Sequence, residues 1–144
     1  MKIVVNRFIP WGRFTCINLF GVVFTKKPIE TISPEVINHE YIHTKQYVEL
    51  TFVLFILFLI ITFLFGFSFT LLVSVFLVYY VWYATEWAIR LVLALRTLSG
   101  FNYVIYKSES YRAYRRMFFE REAFKFQSDL DYLNRRKAFA WLRL

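Results

Sequence analysis

The sequence is poor in the residues that cross-link or coordinate. Among 144 residues there is one cysteine, Cys16, and there are two histidines, His39 and His43. A single thiol excludes an internal disulfide and says little about redox compartment. Residues 50–85 contain no Asp, Glu, Lys, Arg or His. A cleavable signal peptide is not expected either. The opening stretch MKIVVNRFIPW is short and is interrupted by Asn6, Arg7 and Pro10. Entry into a membrane would therefore depend on internal apolar segments.

What is present is apolar and basic. The chain is 58% hydrophobic and 22% aromatic, with a formal charge of +8. One domain is expected at this length. The composition is too apolar for a soluble domain of this size, whose surface needs polar cover. On such a chain, positive charge suits anionic lipid headgroups better than nucleic acid. A nucleic-acid role for Arg112, Arg115, Arg116, Arg135 and Arg136 lacks any recognition motif, and no nucleic-acid partner is expected.

The charge-free run decides the class. As one helix its 36 residues would span about 54 Å, whereas a bilayer crossing takes roughly 20 residues. Two short spans fit, one over Leu50 to Phe65 and one from Phe69 toward Leu95, with Gly66, Phe67 and Ser68 as the turn. Tyr79, Tyr80, Trp82, Tyr83 and Trp87 resemble an interfacial aromatic belt, and Glu86 and Arg90 can pair four residues apart. The turn carries no Lys or Arg while both flanks do, so both termini are expected in the cytoplasm.

Residues 1–32 form an N-terminal β segment. Residues 3–5 and 14–24 read as two short strands joined through Pro10, Trp11 and Gly12, a β-hairpin. Residues 33–49 form a helix that opens at Ser33-Pro34-Glu35, a cap, a first-turn proline and a dipole-compatible acid, and enters the first span. Residues 50–97 are the hairpin. Residues 98–144 are basic: a connector from Gly100 to Ser110, a cap at Ser108 or Ser110, helix from about Tyr111 to Lys137, and an apolar tail, Ala138 to Leu144, lying on the membrane.

Residues 39–43 read His-Glu-Tyr-Ile-His, and both histidines of the chain fall in this pattern. Histidines four apart on a helix project from one face and can reach one tetrahedral zinc. Glu40 beside them is placed to act as general base toward a zinc-activated water. A catalytic zinc needs a third protein ligand. With Cys16 read as packing, that ligand must be a carboxylate: Glu86, Glu109, Glu120, Glu122, Asp129 or Asp131. Glu120 and Ala123 share a helix face on which the small residue permits close approach. Glu122 points roughly the other way. Gln46, one turn beyond His43, is either a partner of a ligand or a polar residue near the interface.

These features resemble gluzincin-type integral membrane metallopeptidases, the group that includes HtpX-like enzymes, CAAX proteases and membrane sensor peptidases. The resemblance rests on His39-Glu40-Tyr41-Ile42-His43, the apolar hairpin Leu50 to Thr85, and Glu120-Arg121-Glu122-Ala123, covering about residues 34–130. HExxHxxQ with a late Phe-Glu-Arg-Glu-Ala segment is also similar to a group of small bacterial membrane proteins. The resemblance implies a mainly α membrane protein. It would have a two-span transmembrane helical hairpin, a minimal zincin-like site and a short N-terminal β-hairpin. It implies Zn2+ held by His39, His43 and Glu120, with Glu122 as the alternative ligand and Glu40 as the catalytic base. The activity implied is that of an endopeptidase of the bacterial inner membrane, its site cytoplasmic, acting on a peptide or membrane-protein substrate, possible as a homo-oligomer. One departure is Phe124, where those enzymes often have an Asp that supports a ligand. Tyr103, Tyr106, Tyr111, Arg112 and Arg115 are candidate oxyanion donors, and Ile17 to Phe24 could offer a strand edge to a peptide. The rival expectations are a non-catalytic membrane scaffold or accessory protein, and a metal-binding pseudopeptidase.

Overall fold

A computed structural model describes residues 2–10, 14–96 and 103–144, with side chains left out for 103–105. Three strands come first: β1 (Lys2–Val5), β2 (Cys16–Leu19) and β3 (Val22–Thr25). The sheet order is β1-β3-β2. β2 and β3 are antiparallel, with Asn18 opposite Val23, and β1 lies parallel to β3 on its other side. The expectation of two strands in one hairpin is corrected here. Residues 14–24 fold back on themselves at Phe20 and Gly21, both at positive φ (54° and 76°), the two-residue turn whose twist matches antiparallel strands. Phe20 carries a Cβ in this conformation, and its backbone N–H donates to the Tyr80 hydroxyl. Trp11 and Gly12 of the expected connection lie outside the described residues.

α1 runs unbroken from Pro34 to Phe65. Ser33 caps it, its hydroxyl accepting from the Val36 N–H, with Pro34 in the first turn. It ends at Gly66, whose φ of 90° leaves the helical region and whose N–H donates to the Thr62 carbonyl at 2.9 Å. Ser68 caps α2 (Phe69–Leu95). Both helices are long and apolar enough to cross a membrane. Thirty-two residues make α1 about 48 Å long, more than a hydrocarbon core of roughly 30 Å. Beyond Leu50 many of its apolar side chains are exposed, Phe63 at 89% and Phe65 at 83%, while Phe58 is buried.

The basic region departs from the expected single helix. α3 (Tyr103–Arg115), α4 (Phe118–Phe126) and the short α5 (Tyr132–Arg135) follow one another, then a 3-10 turn at Ala140–Arg143. Helix begins well before Tyr111, inside the expected connector, so Ser108 and Ser110 lie within α3 and do not cap it. Residues 100–102 of that connector lie outside the described residues. The break between α3 and α4 has a visible cause. Met117 supplies no side-chain cap. Instead Glu86 of α2 accepts the Phe118 N–H on both carboxylate oxygens at 3.1 Å. Arg90, as expected, pairs with Glu86 at 2.7 Å.

Three clusters join these elements. Cys16, Val23 and Ile32 pack with Ile3, Val36 and Ile37, seating the sheet on the start of α1. Ile42, Ala123 and Tyr132 join α1 to α4 and α5, with Ala123 as the small residue at the approach. Tyr47, Tyr79, Phe119 and Trp141 join both long helices, α4 and the tail. The tail is therefore not simply laid on a membrane surface: Trp141 is buried, while Leu142 is exposed.

Candidate metal centre

α1 presents His39 and His43 one turn apart, and α4 lies across that face. Their Nε2 atoms are 3.1 Å apart. Glu120 completes the group, with Oε2 at 3.3 Å from His39 Nε2 and Oε1 at 3.2 Å from His43 Nε2. All three residues are buried, and their ligand atoms lie within 4.8 Å of one another, a group able to hold a metal ion.

The surroundings fix which nitrogen of each ring faces inward. His43 Nδ1 lies 2.8 Å from Gln46 Oε1, and His39 Nδ1 lies 3.3 Å from Gln127 Oε1. An amide oxygen only accepts, so each Nδ1 carries the hydrogen. In the neutral ring each Nε2 is then a bare lone pair. Two lone pairs and a carboxylate converge on one point, and Glu120 Oε2 has no hydrogen-bond partner. A cation between them would satisfy all three. This donor set fits a divalent transition metal; two imidazoles and a carboxylate are common ligands of zinc.

The Gln46 amide and the Gln127 backbone are themselves held. The Gln46 NH2 donates to the Phe119 carbonyl and to Glu122 Oε2, each at 2.9 Å. Asn38 Nδ2 lies within 3.0–3.1 Å of the carbonyls of Phe126, Gln127 and Asp129, which docks the end of α4 on α1 and brings Gln127 to His39. Phe124 is no substitute for a supporting carboxylate. Its ring lies edge-on against His39 at 4.8 Å, and Gln127, one turn later, makes the supporting hydrogen bond.

Glu122 is turned away from the histidines. Its carboxylate accepts from Gln46, from the Tyr132 hydroxyl at 2.8 Å and from Arg136 Nε at 2.6 Å. Arg136 also pairs with Glu49, which accepts the Trp141 indole N–H at 3.1 Å. Burial disfavours the Arg136 charge, yet the hydrogen bonds and charges of Glu49 and Glu122 outweigh that and raise its pKa. For Glu120, too, burial opposes ionisation, and the imidazoles of His43 and His39, in their protonated form, more than offset it. Its carboxyl is held well below the usual range.

Glu40 is buried, 9% exposed. Its backbone carbonyl accepts from Asn18 Nδ2 at 2.9 Å, and the same amide reaches Thr44 Oγ1 at 2.7 Å. This seats β2 against the helix at the motif. Burial raises the Cys16 thiol pKa, and the Glu40 charge adds to that.

The sequence missed the hydroxyls around Glu120. Tyr83 donates to Oε1 at 2.5 Å, Tyr114 of α3 reaches the same carboxylate, and Tyr79 stands 3.4 Å from His43 Nδ1. The i, i+4 spacing of Tyr79 and Tyr83 was the available signal, although it reads equally as an interfacial belt. Of the candidate oxyanion donors, Tyr111 is exposed. Arg112 pairs with Glu109 at the surface, and Arg115 covers the Phe124 ring. The Tyr103 side chain lies outside the described residues. Glu86 caps α4, and Glu109 and Asp129 pair with arginines. Comparison with protein-family models, with curated proteins and with solved structures finds no match to this chain.

Proposed function

We propose that this protein is a membrane-bound zinc endopeptidase of the gluzincin type. The observation that carries the reading is the convergence of His39 Nε2, His43 Nε2 and the Glu120 carboxylate beside Glu40, with both outer ring nitrogens already bound. His39, His43 and Glu120 would hold the ion. When bound there, zinc supplies a Lewis acid and lowers the pKa of water. Glu40 takes a proton as water adds to the peptide carbonyl carbon, and returns it to the amine nitrogen as the C–N bond breaks. Tyr83 and Tyr114 hold the Glu120 carboxylate in place. β2 is an edge strand beside Glu40, so an extended peptide can add to it through main-chain hydrogen bonds. The two long apolar helices support a membrane location, and the charge asymmetry supports cytoplasmic termini.

The test is Glu40→Gln in purified protein. Bound zinc is expected to stay near one equivalent while peptide hydrolysis falls to background; undiminished hydrolysis would sink the mechanism. The low exposure of Glu40 favours one rival, a metal-binding pseudopeptidase. That rival is upheld if the wild type binds zinc stoichiometrically and cleaves no member of a broad peptide library.

A further inference from the structure

Two walls flank the metal centre. Glu40 and Thr44 lie to one side of the stripe of His39 and His43 on α1, and Ile42 lies to the other, as helical spacing requires. β2 packs on the first side, where Asn18 bonds the Glu40 carbonyl and Thr44. α4 packs on the second, through Ala123 against Ile42. Phe124, next to Ala123, stands on the α4 wall with its ring edge-on to His39 at 4.8 Å. Behind it comes α3. The exposed Arg115 guanidinium lies over the Phe124 ring, 4.7 Å from its centre, and over the Tyr111 ring at 5.9 Å. These contacts bring the charge within about 10 Å of the His39 ring, a distance covered by roughly three extended residues.

Arg90, Arg112, Arg135 and Arg136 each pair with a carboxylate. Among the described residues no carboxylate pairs with Arg115. The rings steady its guanidinium without occupying it. Their faces offer no oxygen acceptor, so the fork of N–H donors stays open to a carboxylate, which it matches in two parallel bonds. We infer that Arg115 determines specificity: the substrate carries an Asp or Glu side chain within about three residues of the scissile bond, and Arg115 receives its carboxylate. A peptide paired on β2 passes between the two walls. Alternate side chains of an extended peptide point the same way, and one turned toward α4 meets Arg115 beyond Phe124. This inference rests on the peptidase reading and adds to it the side-chain chemistry that is recognised and the residue that reads it.

The experiment uses the full chain with zinc in dodecyl maltoside micelles, whose uncharged headgroups do not compete for an arginine. The probes are randomised peptide pools, N-acetylated and C-amidated, with no acidic residue except at one position fixed as Glu or as its neutral isostere Gln. The same pools with a free C-terminus distinguish a side-chain carboxylate from a terminal one. Glu40→Gln is the control, and fragments are mapped by mass spectrometry. Glu40-dependent cleavage of the Glu pools is expected to be about tenfold or more faster than that of the Gln pools, through KM, with the ratio shrinking as salt is raised. Binding is read apart from turnover on zinc-loaded Glu40→Gln, which should hold a dye-labelled Glu pool about tenfold tighter than the Gln pool. In Arg115→Gln the ratio should fall to near one while bound zinc stays near one equivalent, and Arg115→Glu should favour pools fixed as Lys over those fixed as Glu. Equal cleavage of Glu and Gln pools by the wild type, a preference that persists in Arg115→Gln, or a dependence on Arg115 seen only with a free C-terminus overturns the inference and leaves the peptidase reading standing. Absence of any Glu40-dependent cleavage overturns both.

Discussion

The side-chain oxygen of Gln46 lies 2.8 Å from Nδ1 of His43, and this contact decides which face of the imidazole looks toward Glu120. Gln46 is in turn held by Glu122 and by the Phe119 carbonyl. The α4 helix thus supplies the carboxylate at the centre, and it also orients the group that orients a histidine.

Replacing Gln46 with Leu should loosen metal binding without removing a ligand. Loss of such an outer partner costs about 10–100-fold in affinity, so a competition titration with a zinc chelator should show a drop of that order. Unchanged affinity would mean that ring orientation is set elsewhere.

Glu120 and Glu122 should separate cleanly. Glu120→Gln is expected to abolish stoichiometric zinc in the purified protein. Glu122→Gln should retain zinc, because that carboxylate serves Gln46, Tyr132 and Arg136. Elemental analysis of the two variants checks this, and the reverse pattern would exchange their assigned places.

Arg136→Ala should be among the most destabilising single changes. The side chain is 4% exposed and neutralises Glu49 and Glu122, themselves 15% and 0% exposed. Stranding buried charges costs about 3–5 kcal/mol. Denaturant unfolding in detergent micelles is the measurement. Arg136→Lys should recover only part of the loss, since one ammonium cannot serve both carboxylates in the bidentate manner of a guanidinium.

Glu86→Ala tests the link between α2 and the His39, His43 and Glu120 cluster. It removes the side-chain acceptor of the Phe118 N–H at the start of α4. Loss of a helix cap costs about 1 kcal/mol, and Glu120 lies two residues further on. A modest loss of stability is expected together with weaker zinc binding. Full zinc affinity in that variant would show that the aromatic packing around Phe119 holds α4 without the cap.

The sequence by itself determined the elements whose causes are local. Ser33 and Pro34 start α1, and Gly66 and Ser68 turn it into α2, because caps and glycine act on their immediate neighbours. The 36 charge-free residues mark two helices long and apolar enough to cross a membrane, because length and composition are read along the chain alone. The spacing of His39 and His43 follows from helix geometry alone. Tertiary structure decided the rest. β3 lies between β2 and β1 because Asn18 and Val23 seat the sheet on α1, a pairing that alternation along the chain leaves open. α3 begins earlier than composition suggested, and α4 is separate, because its first N–H is capped by Glu86 from another helix. Glu120 rather than Glu122 faces the histidines because Arg136 and Tyr132, brought back by the C-terminal segment, claim the second carboxylate. Residues 73 and 87 positions apart meet around that centre, and contacts at such separation are fixed by packing and charge neutralisation in the folded chain, which local pattern does not encode.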